Sequence, residues 1–192
     1  MKETFIICIL VIFIYIFYII NKNKFTLIEA SNGQKVRVND QIDKTGSANL
    51  LAEVIEKMYT LRNYLKNNID KYDKNTACIN LLTKNFNENR TEIYENSTSS
   101  EYTSYSVNKG EELVFCLRSR KTNKLHDINL MMYVAIHEMA HIGCHEIGHT
   151  QLFKEIFAFY LKVAMELNIY KYDNYDISPI EYCGMILSSN II

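Results

Sequence analysis

The sequence predicts an α+β fold: several helices packed on a small, mostly antiparallel sheet, preceded by one N-terminal transmembrane helix. Three observations carry that prediction. Apolar residues recur at three- and four-residue spacing in several long stretches, the period of a helix with one buried face. Shorter apolar or alternating runs, bounded by turn residues, read as strands. Residues 5–20 form an apolar run without a charge. The chain has 192 residues, 48% of them hydrophobic, which suits one globular domain with a proper core and excludes wholesale disorder. The expected organisation is an anchor with its flanks over residues 1–24 and one folded domain over residues 25–192.

The apolar run reads FIICILVIFIYIFYII. As a helix it covers roughly 24 Å at 1.5 Å per residue, slightly short of the ~30 Å hydrocarbon core. Thr4 and Asn21 can extend it, and Lys22 and Lys24 can snorkel to the interface. It is long for a signal-peptide apolar region, and Met1-Lys2-Glu3 is a weakly charged start. An uncleaved anchor is therefore expected, touching the membrane through residues 5–20. Lys22, Lys24, Lys35 and Arg37 outweigh Lys2, so the positive-inside rule puts the domain of this single-pass protein on the cytoplasmic side.

Next comes a hairpin. Phe25 to Ile28 and Lys35 to Val38 flank Asn32-Gly33, a dipeptide that favours a type I′ turn. Residues 47–67 read as an amphipathic helix, with Leu50, Leu51, Val54, Ile55, Met58, Leu61 and Leu65 on one stripe. A second helix is expected over residues 76–87, with Ile79, Leu82 and Phe86 inward. Residues 96–106 are rich in Ser, Thr and Tyr and read as a loop. After the turn Asn108-Lys109-Gly110, residues 112–117 read as a buried strand that lines the cleft. A third helix starts after Asp127, a suitable N-cap, and breaks at Gly143. A fourth covers residues 151–167, and residues 179–192 supply one short strand.

A formal net charge of -1 argues against a strongly basic surface, and no nucleic-acid partner is expected. The cysteines, Cys8, Cys78, Cys116, Cys144 and Cys183, show no CxxC spacing. Free, buried thiols are the preferred reading, ahead of two disulfides.

The chemistry lies in the third helix. Residues 137–141 read His-Glu-Met-Ala-His. Positions i and i+4 share a helix face, so His137 and His141 can hold one Zn²⁺, with Glu138 beside it as catalytic base. The metal lowers the pKa of its bound water and polarises a scissile carbonyl, and Glu138 takes the proton. Five residues of pattern can arise by chance. The apolar run from Leu130 to Ile136 argues against chance, because two histidines and a glutamate in a core helix are costly without a purpose. A third ligand is needed. His149, past the break at Gly143, ranks first. His145 follows, since it lies roughly 12 Å from His137 along a straight helix. Glu155, on the next helix, ranks third.

Residues 134–141, Val-Ala-Ile-His-Glu-Met-Ala-His, followed by Gly148-His149-Thr150-Gln151-Leu152-Phe153, resemble the WLM and SprT-like zincin metallopeptidases, and are most similar to WLM-like proteins of large DNA viruses. The resemblance is specific over residues 109–185. It implies a zincin-like fold, zinc held by His137, His141 and His149, and Glu138 as the catalytic residue. The expected activity is hydrolysis of peptide bonds in a protein or peptide substrate. Two alternatives stand beside it: an inactive, zinc-stabilised, membrane-tethered interaction module, and a protease of DNA-associated proteins. Ser104, Tyr105, Ser106, Tyr182 and protonated His145 are candidates for stabilising an oxyanion. His126 is expected at the surface, Met185 in the core, and Cys183 is the less favoured possibility of a thiolate at the metal.

Overall fold

The computed structural model describes residues 9–17 and 25–189. Strands β1 (Phe25–Glu29) and β2 (Lys35–Asn39) pair antiparallel as a hairpin. The connection, residues 30–34, is longer than a two-residue turn: Ala30 N–H donates to Gln34 O at 2.8 Å, and within it Gly33 alone has positive φ, 82°. Helix α1 (Lys44–Asn67) follows, capped by the Asp43 carboxylate, which accepts from Gly46 N–H at 3.2 Å. It buries Leu51, Val54, Ile55, Met58, Leu61 and Leu65 of the stripe that its spacing predicts, while Leu50 is only partly buried against the core. Helix α2 (Thr76–Asn85) buries Ile79 and Leu82, with Phe86 buried just past its end.

Three short strands come next: β3 (Glu92–Glu95), β4 (Tyr105–Val107) and β5 (Glu112–Phe115). The sheet order is β1-β2-β3-β5-β4. Strand β3 pairs parallel with both β2 and β5, so the sheet is mixed and not mostly antiparallel. The reason is the pair of helices between β2 and β3, since a crossover of that kind returns a strand parallel to its neighbour. Strand β3 leaves little trace in the sequence, because Ile93 and Tyr94 are enclosed by two glutamates. Strand β4 folds back antiparallel along the outer edge of β5, where a loop is expected.

Helix α3 (Ile128–Gly143) runs through the middle and touches α1, α2, β4 and the last helix, α4 (Gln151–Glu166). Leu130 to Ile136 are all buried, as a helix apolar all round must be. The end of the chain forms two strands where one is expected: the hairpin of β6 (Ile180–Tyr182) and β7 (Met185–Leu187). Cys183 and Gly184 join them with φ of 49° and 91°, the two positive values a type I′ turn demands. Cys183 is disulfide-bonded to Cys116 at the end of β5, with Cα atoms 6.3 Å apart. That departs from the expected free thiols. Cys78 and Cys144 are free and buried, and Cys8 lies outside the described residues.

The membrane anchor is corrected. Among the described residues no helix is long and apolar enough to cross a membrane. Residues 9–17 are helical, roughly 14 Å at 1.5 Å per residue, about half of the ~30 Å core. The single-pass localisation and the cytoplasmic orientation fall with the anchor. The remainder of the expected span, residues 5–8 and 18–20, lies outside the described residues, as do Lys22 and Lys24. Arg37, counted towards that orientation, is engaged within the sheet: its guanidinium lies 3.9 Å from the Tyr94 ring centroid and 3.1 Å from Glu92.

Candidate metal centre

Local chemistry sets both ends of α3. Asp127 caps its start, its carboxylate accepting from Asn129 N–H at 2.7 Å. At the other end, a Cβ on Gly143 would collide with the hydroxyl of Tyr160, which donates to Cys78 O at 3.0 Å. The helix therefore ends at a residue that must be small. Its last carbonyls meet Lys109, whose ammonium donates to His141 O at 3.2 Å, Cys144 O at 2.7 Å and Glu146 O at 2.6 Å. A cation here also complements the negative end of the helix dipole. The chain then turns back at Gly148, whose φ of +82° suits glycine. Thr150 caps α4, its hydroxyl accepting from Phe153 N–H at 3.3 Å.

These turns bring three imidazoles to one point. The Nε2 atoms of His137 and His141 are 3.2 Å apart, those of His141 and His149 3.2 Å, and those of His149 and His137 3.0 Å. Zinc bound tetrahedrally at ~2.0–2.1 Å sets its ligand nitrogens roughly 3.3–3.4 Å apart. The observed triangle is slightly tighter and close to that figure, so the donor set fits a metal ion. Burial, and then the neighbouring rings of His141 and His149, push His137 down to about 3. Burial, then His149 and Lys109, push His141 down to about 4. Both shifts favour the neutral imidazole, the form that ligates a metal. One side chain steadies all three rings: Phe153, itself buried, stacks on His141 at 4.2 Å and meets His137 and His149 edge-on at 4.9 Å each.

Glu138 sits beside the triangle and is only 5% exposed. Burial pushes its carboxyl up to about 7, opposed by a hydrogen bond to the Ser106 side chain. A cleft of about 660 Å³ opens over Glu138 and the histidines. Its outer wall is the edge strand β4 with Ser104, Tyr105 and Ser106, together with Tyr182 of β6. The expected lining strand, β5, lies inside the sheet instead. The Ser104 and Tyr182 hydroxyls hydrogen-bond each other, and Cys116 N–H donates to Ser104 Oγ at 3.1 Å.

Other candidates fall elsewhere. His145 is exposed and stands 4.0 Å from Glu146. Glu155 accepts from Gln151. Neither joins the histidine triangle. Cys183 is held in its disulfide. Met185 is not core but half-exposed at the cleft mouth. His126 is buried against Tyr182, ring centroids 5.0 Å apart. Sequence reasoning missed the tasks of Lys109 and Phe153. The turn around Lys109 is visible in the sequence, but not the helix end it reaches.

No family model matches the chain. Over 150 residues it is 41% identical to the protein R325 of Acanthamoeba polyphaga mimivirus, covering 78% of this chain and 75% of that one. The chain belongs to the R325 family. A shorter stretch of 69 residues, 35% of the chain, is 36% identical to protein 136R of Invertebrate iridescent virus 6 and covers 38% of it. Among solved structures, Wss1 from Saccharomyces cerevisiae is similar at a TM-score of 0.50 and 18% identity, over 68% of this chain and 89% of that one. At that identity the likeness shows the fold of this R325 relative, a zincin-like α+β fold.

Proposed function

We propose that residues 25–192 form a zinc-dependent metallopeptidase domain, with His137, His141 and His149 as metal ligands and Glu138 as the catalytic residue. One observation carries the reading: three ring nitrogens converge within 3.2 Å of one another, next to a buried glutamate, at the base of an open cleft. The fold shared with Wss1, a WLM-domain zincin-like protease, supports it. Zinc held by His137, His141 and His149 would supply a Lewis acid for the scissile carbonyl and would lower the pKa of water. Glu138 accepts a proton from the attacking water at a carboxylate oxygen and passes it to the nitrogen of the leaving amine. Ser106 orients that carboxylate, and the surrounding core excludes bulk solvent from it. The outer edge of β4 offers backbone groups to an extended peptide, which can pair there as a further strand.

The test is peptide cleavage by the zinc-loaded full chain and by Glu138→Gln. The variant should keep one zinc per chain and lose about 10²–10⁴-fold in kcat/KM, the usual contribution of a general base. Full cleavage by the zinc-loaded variant would rule out this mechanism. Zinc binding by the unaltered protein with no cleavage of any peptide would favour a zinc-stabilised interaction module.

A further inference from the structure

Away from the imidazoles the cleft changes character. On α3, the face that carries His137 continues one turn back to Tyr133 and Val134, and both line the cleft. To the same cleft β7 contributes Met185 and Leu187, two residues apart and so on the same face of the strand. Leu187 rests on the core, whereas Met185 is 46% exposed. Ile147, at the rim beside His149, is almost fully exposed. Besides the histidines, the charged side chains lining the cleft are Glu138 and Lys109. The Lys109 ammonium is committed to three carbonyls, and Glu138 faces Ser106 and the metal centre. Among the described residues the lining therefore leaves no charged side chain to pair with an ionic group on a ligand. Seating such a group there unpaired is costly, whereas an apolar side chain gains by leaving water.

We propose that Tyr133, Val134, Met185 and Leu187 form a specificity pocket for a large apolar side chain, such as leucine, methionine or phenylalanine, next to the scissile bond. This deepens the peptidase reading and rests on it. Met185 and Leu187 are the specificity-determining residues, because they reach the cleft from a separate hairpin and not from the metal-bearing helix.

The test uses the zinc-loaded full chain and a peptide library randomised around the cleaved bond. One flanking position should be enriched in large apolar residues, with kcat/KM roughly 10- to 100-fold above that for aspartate or lysine there. Met185→Glu, a change at a half-exposed residue, should keep the zinc. It should lower cleavage of the leucine peptide at least about tenfold and raise the relative rate for lysine. A flat or charge-preferring profile, or an unchanged profile in Met185→Glu, overturns the pocket. A second measurement does not need turnover. Hydroxamates of leucine, aspartate and lysine share one metal-binding group, and their affinities for the zinc-loaded protein are compared by calorimetry. The leucine compound should bind at least about tenfold more tightly. Equal affinities overturn the pocket even if peptides are cleaved. Tighter leucine binding without any cleavage supports the pocket and removes the peptidase reading.

Discussion

On its inner side the cleft is built by α3, α4 and the short turn between them. His137, Glu138, His141, His149 and Phe153 all fall within that single stretch of chain. The outer side is assembled from distant pieces. Ser104 meets Tyr182 across a separation of 78 residues, and Cys116 is bonded to Cys183 across 67. The inner side is held by helix caps, a glycine turn and ring packing. The outer side is held by a disulfide, by the Ser104–Tyr182 bond and by the bond from Cys183 N–H to His126 Nε2, 3.3 Å long. The shape of the cleft should therefore depend on the outer side, and the metal centre on the inner side together with Lys109, which reaches from the β4–β5 turn to the last carbonyls of α3.

The largest effect should come from the inner side. Phe153→Ala removes a fully buried ring that touches all three ligand candidates. It should cost about 3–5 kcal/mol in denaturant unfolding, as large-to-small core changes do. Zinc affinity should fall with it, because the rings lose the surface that orients them. Unchanged zinc affinity in a destabilised variant would mean that the rings are aligned by something else. A smaller effect is expected outside. Replacing both Cys116 and Cys183 by serine should cost about 2–4 kcal/mol and leave zinc affinity where it was. A zinc affinity that falls together with the disulfide would show that the two sides are coupled.

The same contrast explains what could be read in the sequence. The helix bearing His137, Glu138 and His141 is legible because its signals are local: an N-cap at Asp127, an apolar period, a break at Gly143. His149 ranks first on similar grounds, since the reversal at Gly148 and the cap at Thr150 lie within a few residues of it. Strands β3 and β4 are not legible. Each is very short, and each is a strand only because its neighbours are. The second strand of the last hairpin fails for a related reason. Its type I′ turn is made by Cys183-Gly184 in place of an asparagine-glycine pair, and the disulfide to Cys116 helps to hold it. The Asn32-Gly33 pair that does carry the signal marks the right hairpin but closes a longer loop. The apolar run at the start carries the strongest hydropathy signal in the chain. It implied a membrane span, and the helix described there is too short for one.

The smallest effect, and the one that sharpens the comparison most, concerns His126. This ring is 9% exposed and accepts from Cys183 N–H through Nε2, so it supports the outer hairpin only while neutral. Burial holds its pKa below 6.5, against the nearby Glu181 carboxylate, which favours the charged form. The unfolded chain therefore binds the proton more readily than the folded one. Stability is complete above about pH 6.5 and is lost as pH falls from there towards the folded value. His137 and His141 titrate in the same direction, so total acid sensitivity cannot isolate His126. The difference between the unaltered protein and His126→Gln can, because both keep the metal ligands. Unfolding free energies at pH 7.5 and 5.5 should show the unaltered protein ahead by about 1 kcal/mol at the higher pH, the worth of one buried hydrogen bond. The gap should narrow at the lower pH, with the zinc-binding curves of the two proteins superimposed throughout. A gap that is constant or widens on acidification would mean that His126 is not held neutral by its surroundings. The hairpin would then owe its place to the disulfide and to the Ser104–Tyr182 bond.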